Sequence, residues 1–284
     1  MKNVPAISGV AGPSSVDERL AAVYAFLSKN HHWNENLQVF WNRKTLSHCP
    51  DPLSRLAALL REIAGTQSNE KLDVLAQFWE SLDSHQWPST CPTVGDLLAF
   101  LKGGLTDSEN KKCDQQPGIW SALFLALRLQ KGWGPKTAAL FVKNVIRVHR
   151  SDENHLHFLR DAMPLAKNIA REDILFLPVD RVIIHIFEHG FSSACTPSFN
   201  GINAYLQLKY QPDDMLIWDD LWFWGFVTQN SKGVSQQPDG KGPDRKMVWN
   251  PGKYWSLQHY GGREISAIEE LAGTFIQLVS APAG

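Results

Sequence analysis

Apolar residues recur at three- and four-residue intervals along most of this 284-residue chain, a period that lines them up on one face of a helix. Leu20, Val23, Tyr24 and Leu27 form such a face within 16–30. Leu56, Leu59, Leu60 and Ile63 form a second, entered at Asp51-Pro52, with proline just inside the first turn, and left at Gly65. Leu75, Phe78 and Trp79 mark a helix over 72–82, and Thr93 with Asp96 makes a reduced capping box for another over 93–101, ended by Gly103-Gly104. The polar stretch 102–116 reads as a loop. Strongly apolar helices follow at 120–130 and 136–149, another fits within 151–167, and 180–188, the Trp-rich 213–228 and 264–279 complete the pattern. Segments suited to strands, 173–179 and 247–249, are short, so the expectation is an all-α fold without internal repeats.

With 43% hydrophobic and 20% charged residues, the chain can build a real core. No apolar run approaches the roughly 18–20 residues that cross a bilayer. Residues 1–15 lack the charged-then-apolar pattern of a secretion signal. They read as a disordered leader on a cytoplasmic protein, with 16–284 as one domain and 231–246 as a flexible surface loop. Cys49, Cys91, Cys113 and Cys195 are far apart and make no CxxC pair. That spacing argues against zinc or an iron–sulfur cluster and for free thiols. His31-His32 and His155-x-His157 read as solvated or packed histidines, so no metal or other cofactor is expected. There are no heptads and no evident dimer face, so a monomer is the default. The net charge of −1 speaks against broad electrostatic coating of nucleic acid. It leaves room for a compact contact made through backbone amides.

The most informative stretch is Leu129-Gln130-Lys131-Gly132-Trp133-Gly134-Pro135-Lys136-Thr137-Ala138. Two apolar helices flank a tight turn whose glycines allow positive φ and close backbone approach. The second helix then presents free N-terminal amides and the positive end of its dipole, which suit a phosphate oxygen. A plain αα-hairpin that binds nothing fits the same residues.

Taken with Leu177-Pro178-Val179-Asp180-Arg181-Val182, this hairpin resembles the helix–hairpin–helix DNA glycosylase superfamily. There a G-x-G-x-K-T-A type turn is followed by an apolar segment and a V-D motif. Glu62-Ile63-Ala64-Gly65-Thr66-Gln67-Ser68-Asn69 resembles the Gln-bearing loop that the family inserts into the duplex, and it also reads as a simple helix end at Gly65. The match runs discontinuously over 53–187. Lys136 and Asp180 stand 44 positions apart, wider than the common family interval, so 150–173 is an insertion beside a motif at 120–149. The long interval and the pattern from Lys136-Thr137 to Lys143 are closest to the archaeal 8-oxoguanine DNA glycosylase branch. The resemblance implies two helical subdomains with the active site in the cleft between them. It implies Lys136 and Asp180 as catalytic residues. A base pocket would contain Trp222, with Phe141 opposite, and Asp219 or Asp220 reading the base edge. DNA contacts would come from Gln67, Gly132, Trp133, Gly134, Thr137 and Lys143.

The chemistry fits those residue types. A base must leave the stack before its glycosidic bond can be reached. The bond breaks through an oxocarbenium-like state that a carboxylate stabilises. Asp180 suits this role, and Asp before an apolar helix is also a favoured N-cap. Lys136 would attack C1′ as a neutral amine, which needs a lowered pKa. A lysine in the first turn of a helix is electrostatically disfavoured, which sets it apart from a surface lysine. Lys143, seven residues on, reads as a DNA contact or a surface lysine. Eleven tryptophans mean that most of them pack rather than bind. Double-stranded DNA with a flipped base is the expected partner, 8-oxoguanine the first substrate. A bulky modified base in phage DNA, excised in defence, is the variant. The competing reading is a non-catalytic DNA-binding hairpin, in which Lys136 and Asp180 do not meet and no deep pocket lies near Trp222.

Overall fold

The computed structural model describes residues 15–67, 72–229, 247, 249, 250, 253 and 256–280. The leader up to residue 14 and the loop at 231–246 lie outside them. The described chain is all-helical. Its helices are α1 (Val16–Leu46), α2 (Pro52–Ala64), α3 (Leu72–Ser84), α4 (Val94–Gly103), α5 (Asp107–Asp114), α6 (Ile119–Arg128), α7 (Pro135–Arg150), α8 (Ala162–Lys167), α9 (Arg181–Gly190), α10 (Phe199–Gln207), α11 (Asp214–Trp218), α12 (Asp220–Thr228) and α13 (Gly262–Ser280). Their buried apolar side chains, from Leu20 to Val279, form one cluster. Among the described residues no helix is long and apolar enough to cross a membrane, and none of the four cysteines is in a disulfide.

Several helix starts have the caps their sequences encode. Asp51 accepts from the Ser54 amide at 2.9 Å, and Thr93 and Asp96 cap each other reciprocally. Helix α1 runs on to Leu46, well past the apolar stripe that ends near residue 30. Its continuation has a polar inner face with buried Asn30, Asn34 and Asn42. The stretch 102–116 is also more ordered than a loop: α5 starts at a capping box of Thr106 and Glu109 and buries only Cys113.

The segment 173–179 is extended but joins no sheet. Side chains of α10 replace the ladder. Asn203 Oδ1 accepts from the Leu177 amide at 2.7 Å and Nδ2 donates to the Leu177 carbonyl at 3.1 Å, while Gln207 donates to the Leu175 carbonyl. This clamp delivers Pro178-Val179-Asp180 to the start of α9. Asp173, at the other end of the segment, caps α6 by accepting from the amides of Trp120 and Ser121 at 3.0 and 2.9 Å.

Helices α6 and α7 form the antiparallel hairpin, and the turn between them contains Gly132 at φ 87°, a conformation that side chains with a Cβ adopt at a cost. The insertion packs against α7 with Leu156, Phe158, Leu159, Ala162 and Ala166 buried. Helix α7 is therefore covered along nearly its whole length. Helix α12 packs against α9 at Gly225, where a Cβ would stand 2.5 Å from Val182 Cγ1 and 2.8 Å from Ile186 Cδ1.

Loss of the Asp173 cap in Asp173→Ala is expected to cost about 1–2 kcal/mol. Gly225→Ala, which overpacks the α9–α12 contact, is expected to cost about 1–3 kcal/mol. Urea unfolding of each variant against the native chain checks both.

Candidate active site

A cavity of about 480 Å³ opens between α1, α2, α7, α12 and the start of α9, lined in part by Trp41, Thr66, Lys136, Lys143, Asp180, Asp219 and Trp222. Lys136 occupies the first turn of α7, directly after Pro135. Its ammonium donates to the Thr66 carbonyl and hydroxyl, at 3.2 and 3.3 Å, in the turn that ends α2. Burial lowers the Lys136 pKa, against the opposing pull of the Asp180 charge. Asp180 is the N-cap of α9: one carboxylate oxygen accepts from the amides of Val182 and Ile183 at 2.9 and 3.1 Å. Burial raises its pKa, while the Ile183 amide and the Lys136 charge act the other way. The pair therefore holds an amine that gives up its proton readily beside a carboxyl that takes one readily.

The start of α7 has no side-chain cap, because Gly134 has no side chain to supply one. The first-turn amides of Lys136 and Thr137 have no intrahelical acceptor, and a Cβ on Gly134 would meet nothing within 4 Å. The hairpin thus keeps an open approach to its amides. Trp133 is turned inward, 5% exposed, and packs edge-on against Phe78 and Trp79. It anchors the hairpin rather than reaching outward. The Thr137 side chain is also buried, which leaves its backbone amide as the group able to meet a ligand. Gln67 lies in the turn beyond Thr66, and its Nε2 is buried without a hydrogen-bond partner among the described residues.

Other side chains occupy places that differ from their sequence-based assignments. Phe141 does not face Trp222 across the cavity; it is fully buried on the core side of α7, near Trp133. The aromatic surface comes instead from Trp222 stacked on Phe226, with ring centroids 5.2 Å apart, and from Trp41 of α1. Trp41 and Phe226 have no local signal that separates them from core aromatics. The insertion 150–173 contributes no residue to the lining, which α1 supplies with Leu37, Gln38, Trp41 and Asn42.

Lys143 is not a surface lysine. It is 5% exposed, lines the cavity, and pairs with Asp219 at 2.9 Å. Arg147, one turn further, lies 3.4 Å from Asp219 and 3.7 Å from Asp220. Burial pushes the Asp219 carboxyl up, but Lys143 and Arg147 together hold it below its ordinary value. Asp220 is fully buried behind this pair and does not line the cavity. It accepts from Asn34 at 2.7 Å and meets His31 at 2.8 Å. Burial lowers the His31 pKa, and the Asp220 contact more than reverses this, so the imidazole ends above its ordinary value. The cavity floor is therefore a charged, hydrogen-bonded cluster anchored on α1, α7 and the α11–α12 junction.

No family model matches the chain, and no significant match is found among curated proteins or solved structures.

Asp219→Leu leaves Lys143 and Arg147 facing a depleted set of carboxylates and is expected to destabilise by about 3–5 kcal/mol. Lys143→Met, which leaves Asp219 with Arg147, is expected to cost less. Denaturant midpoints with unchanged slopes test the order.

Proposed function

We propose that this protein is a DNA glycosylase that takes a flipped, damaged or modified base into the cavity and cleaves its glycosidic bond through Lys136 and Asp180. The observation that carries the reading is the convergence of Lys136 and Asp180 on one cavity that also contains Trp222. These residues come from three separated parts of the chain. A non-catalytic hairpin has no need of that convergence, nor of a desolvated lysine at a helix start.

In this reading the cavity is the cleft of a helix–hairpin–helix glycosylase, and the open amides of the α7 start hold a DNA phosphate. Trp222 stacks on the base. As the bond between C1′ and the base nitrogen breaks, its electron pair leaves with the base, and the Asp180 carboxylate stabilises the positive sugar. The neutral Lys136 amine donates its lone pair to C1′ and passes a proton to Asp180. The nitrogen lone pair then forms the imine between Lys136 and C1′ as the C1′–O4′ bond breaks, and O4′ takes back the proton held by Asp180. Loss of a C2′ proton then expels the 3′ phosphate, which cuts the strand. The protein would act as a cytoplasmic monomer on duplex DNA, without a cofactor. Oxidised purines, 8-oxoguanine first, are the substrate class that the hairpin and Asp180 motifs suggest.

A second reading of the same chemistry rests on the cavity's size. At about 480 Å³ it falls within the roughly 300–1,000 Å³ of pockets that enclose drug-sized ligands. A base bearing a bulky substituent would use that space, and such bases in foreign DNA would make the enzyme a defence factor.

Borohydride reduction of the protein on a duplex with a single 8-oxoguanine is expected to give a covalent adduct that Lys136→Gln abolishes. Asp180→Asn is expected to slow base release by at least about 100-fold. A trap on abasic DNA alone would keep the chemistry and exclude 8-oxoguanine, leaving modified pyrimidines and the modified bases of phage DNA. No trap on either substrate would overturn the proposal.

Both catalytic groups act deprotonated, so the single-turnover rate is expected to rise with pH. The rise should level off below the ordinary lysine value, because burial depresses the Lys136 pKa. A rate that keeps climbing to the ordinary lysine value would count against Lys136 as the nucleophile.

A further inference from the structure

We infer that α9 holds a divalent transition-metal site built from His185, Glu188 and His189, independent of the glycosylase reading. The three side chains each offer one ligand atom, and these atoms lie within 4.8 Å of one another. Positions i, i+3 and i+4 share a helix face, and the two imidazole centroids are 4.0 Å apart. A tetrahedral ion with bonds of roughly 2.0–2.1 Å needs ligand atoms about 3.4 Å apart. Glu188 and His189 are exposed, and rotation of the Glu188 side chain closes the difference around His185, which is 7% exposed.

The second observation concerns the tautomer of His189. Its Nδ1 lies 3.0 Å from the His185 carbonyl, and a carbonyl can only accept, so Nδ1 carries the proton. The lone pair is then on Nε2. Metal-bound histidines are commonly oriented in this way, with the distal ring N–H given to a carbonyl. The site also lies in the second half of α9, Arg181–Gly190, where the helix dipole favours positive charge. Two imidazoles and one carboxylate suit Zn²⁺, Ni²⁺ or Co²⁺ better than Mg²⁺ or Ca²⁺. Three protein ligands leave a coordination position open for water or a further donor. None of the three residues lines the cavity, so the ion serves α9 and its surface.

The test uses the untagged full-length protein, freed of metal with a chelator and titrated with Zn²⁺ by calorimetry, with Co²⁺ absorption reporting the ligand set. One ion per chain is expected. His189→Ala and Glu188→Gln, both at exposed positions, are each expected to weaken binding at least about tenfold, the size that loss of even an outer-shell partner brings. His155→Ala is expected to leave it unchanged. A native chain that takes up no ion would overturn the site. So would binding untouched by His189→Ala and Glu188→Gln, or binding lost in His155→Ala.

Discussion

The ion cluster under the cavity is the constraint on which the rest of the structure turns. Helix α7 is buried almost throughout, yet it carries Lys143, Asn144 and Arg147. Charges so deep are tolerable only when paired and hydrogen-bonded. Asp219 and Asp220 answer them from the α11–α12 junction, and His31, Asn34 and Glu35 answer from α1. Hydrophobic contacts allow helices to slide by small amounts. A set of buried charges has far fewer acceptable registers. The cluster therefore fixes how α1, α7 and α12 stand around the cavity, and the position of Trp222 follows from that of its neighbours Asp219 and Asp220.

Above this floor the two proposed catalytic groups are held differently. Lys136 is tethered by its tip to the Thr66 carbonyl and hydroxyl, a contact that a substrate can displace. Asp180 is tethered by one carboxylate oxygen to two backbone amides, a contact that survives while α9 stays folded. One group is free to move onto a reacting carbon, and the other is fixed. That division suits a nucleophile and an electrostatic partner.

Much of this was legible in the sequence where the signal is local. Asp51-Pro52, Thr93 with Asp96, Gly132 and the Asp180 cap each depend on backbone groups a few residues away. The inner half of α1 was not legible, because Asn30, Asn34 and Asn42 break the apolar period. Asn34 is interior only because Asp220, 186 positions later, needs its amide. Helix α5 buries only one residue and has no stripe to read. Lys143 looked exterior for the same reason that Phe141 looked like a pocket residue: a side chain's type says less than the face of α7 it occupies. The three-residue set on α9 differs in spacing from His31-His32 and His155-x-His157, because it follows the helical turn.

The missing side chain at Gly225 bears on motion. The side chains of Val182 and Ile186 of α9 sit directly on the α12 backbone, so the two helices are packed at close range. The wall with Trp222 and the cap with Asp180 then behave as one jaw. The opposing wall is the end of α2, joined to the site through the Lys136–Thr66 contact, while α1 is tied to α12 through Asp220. Any widening that admits a ligand falls to that side, and the hydrogen bond that tethers the lysine is the latch it must release.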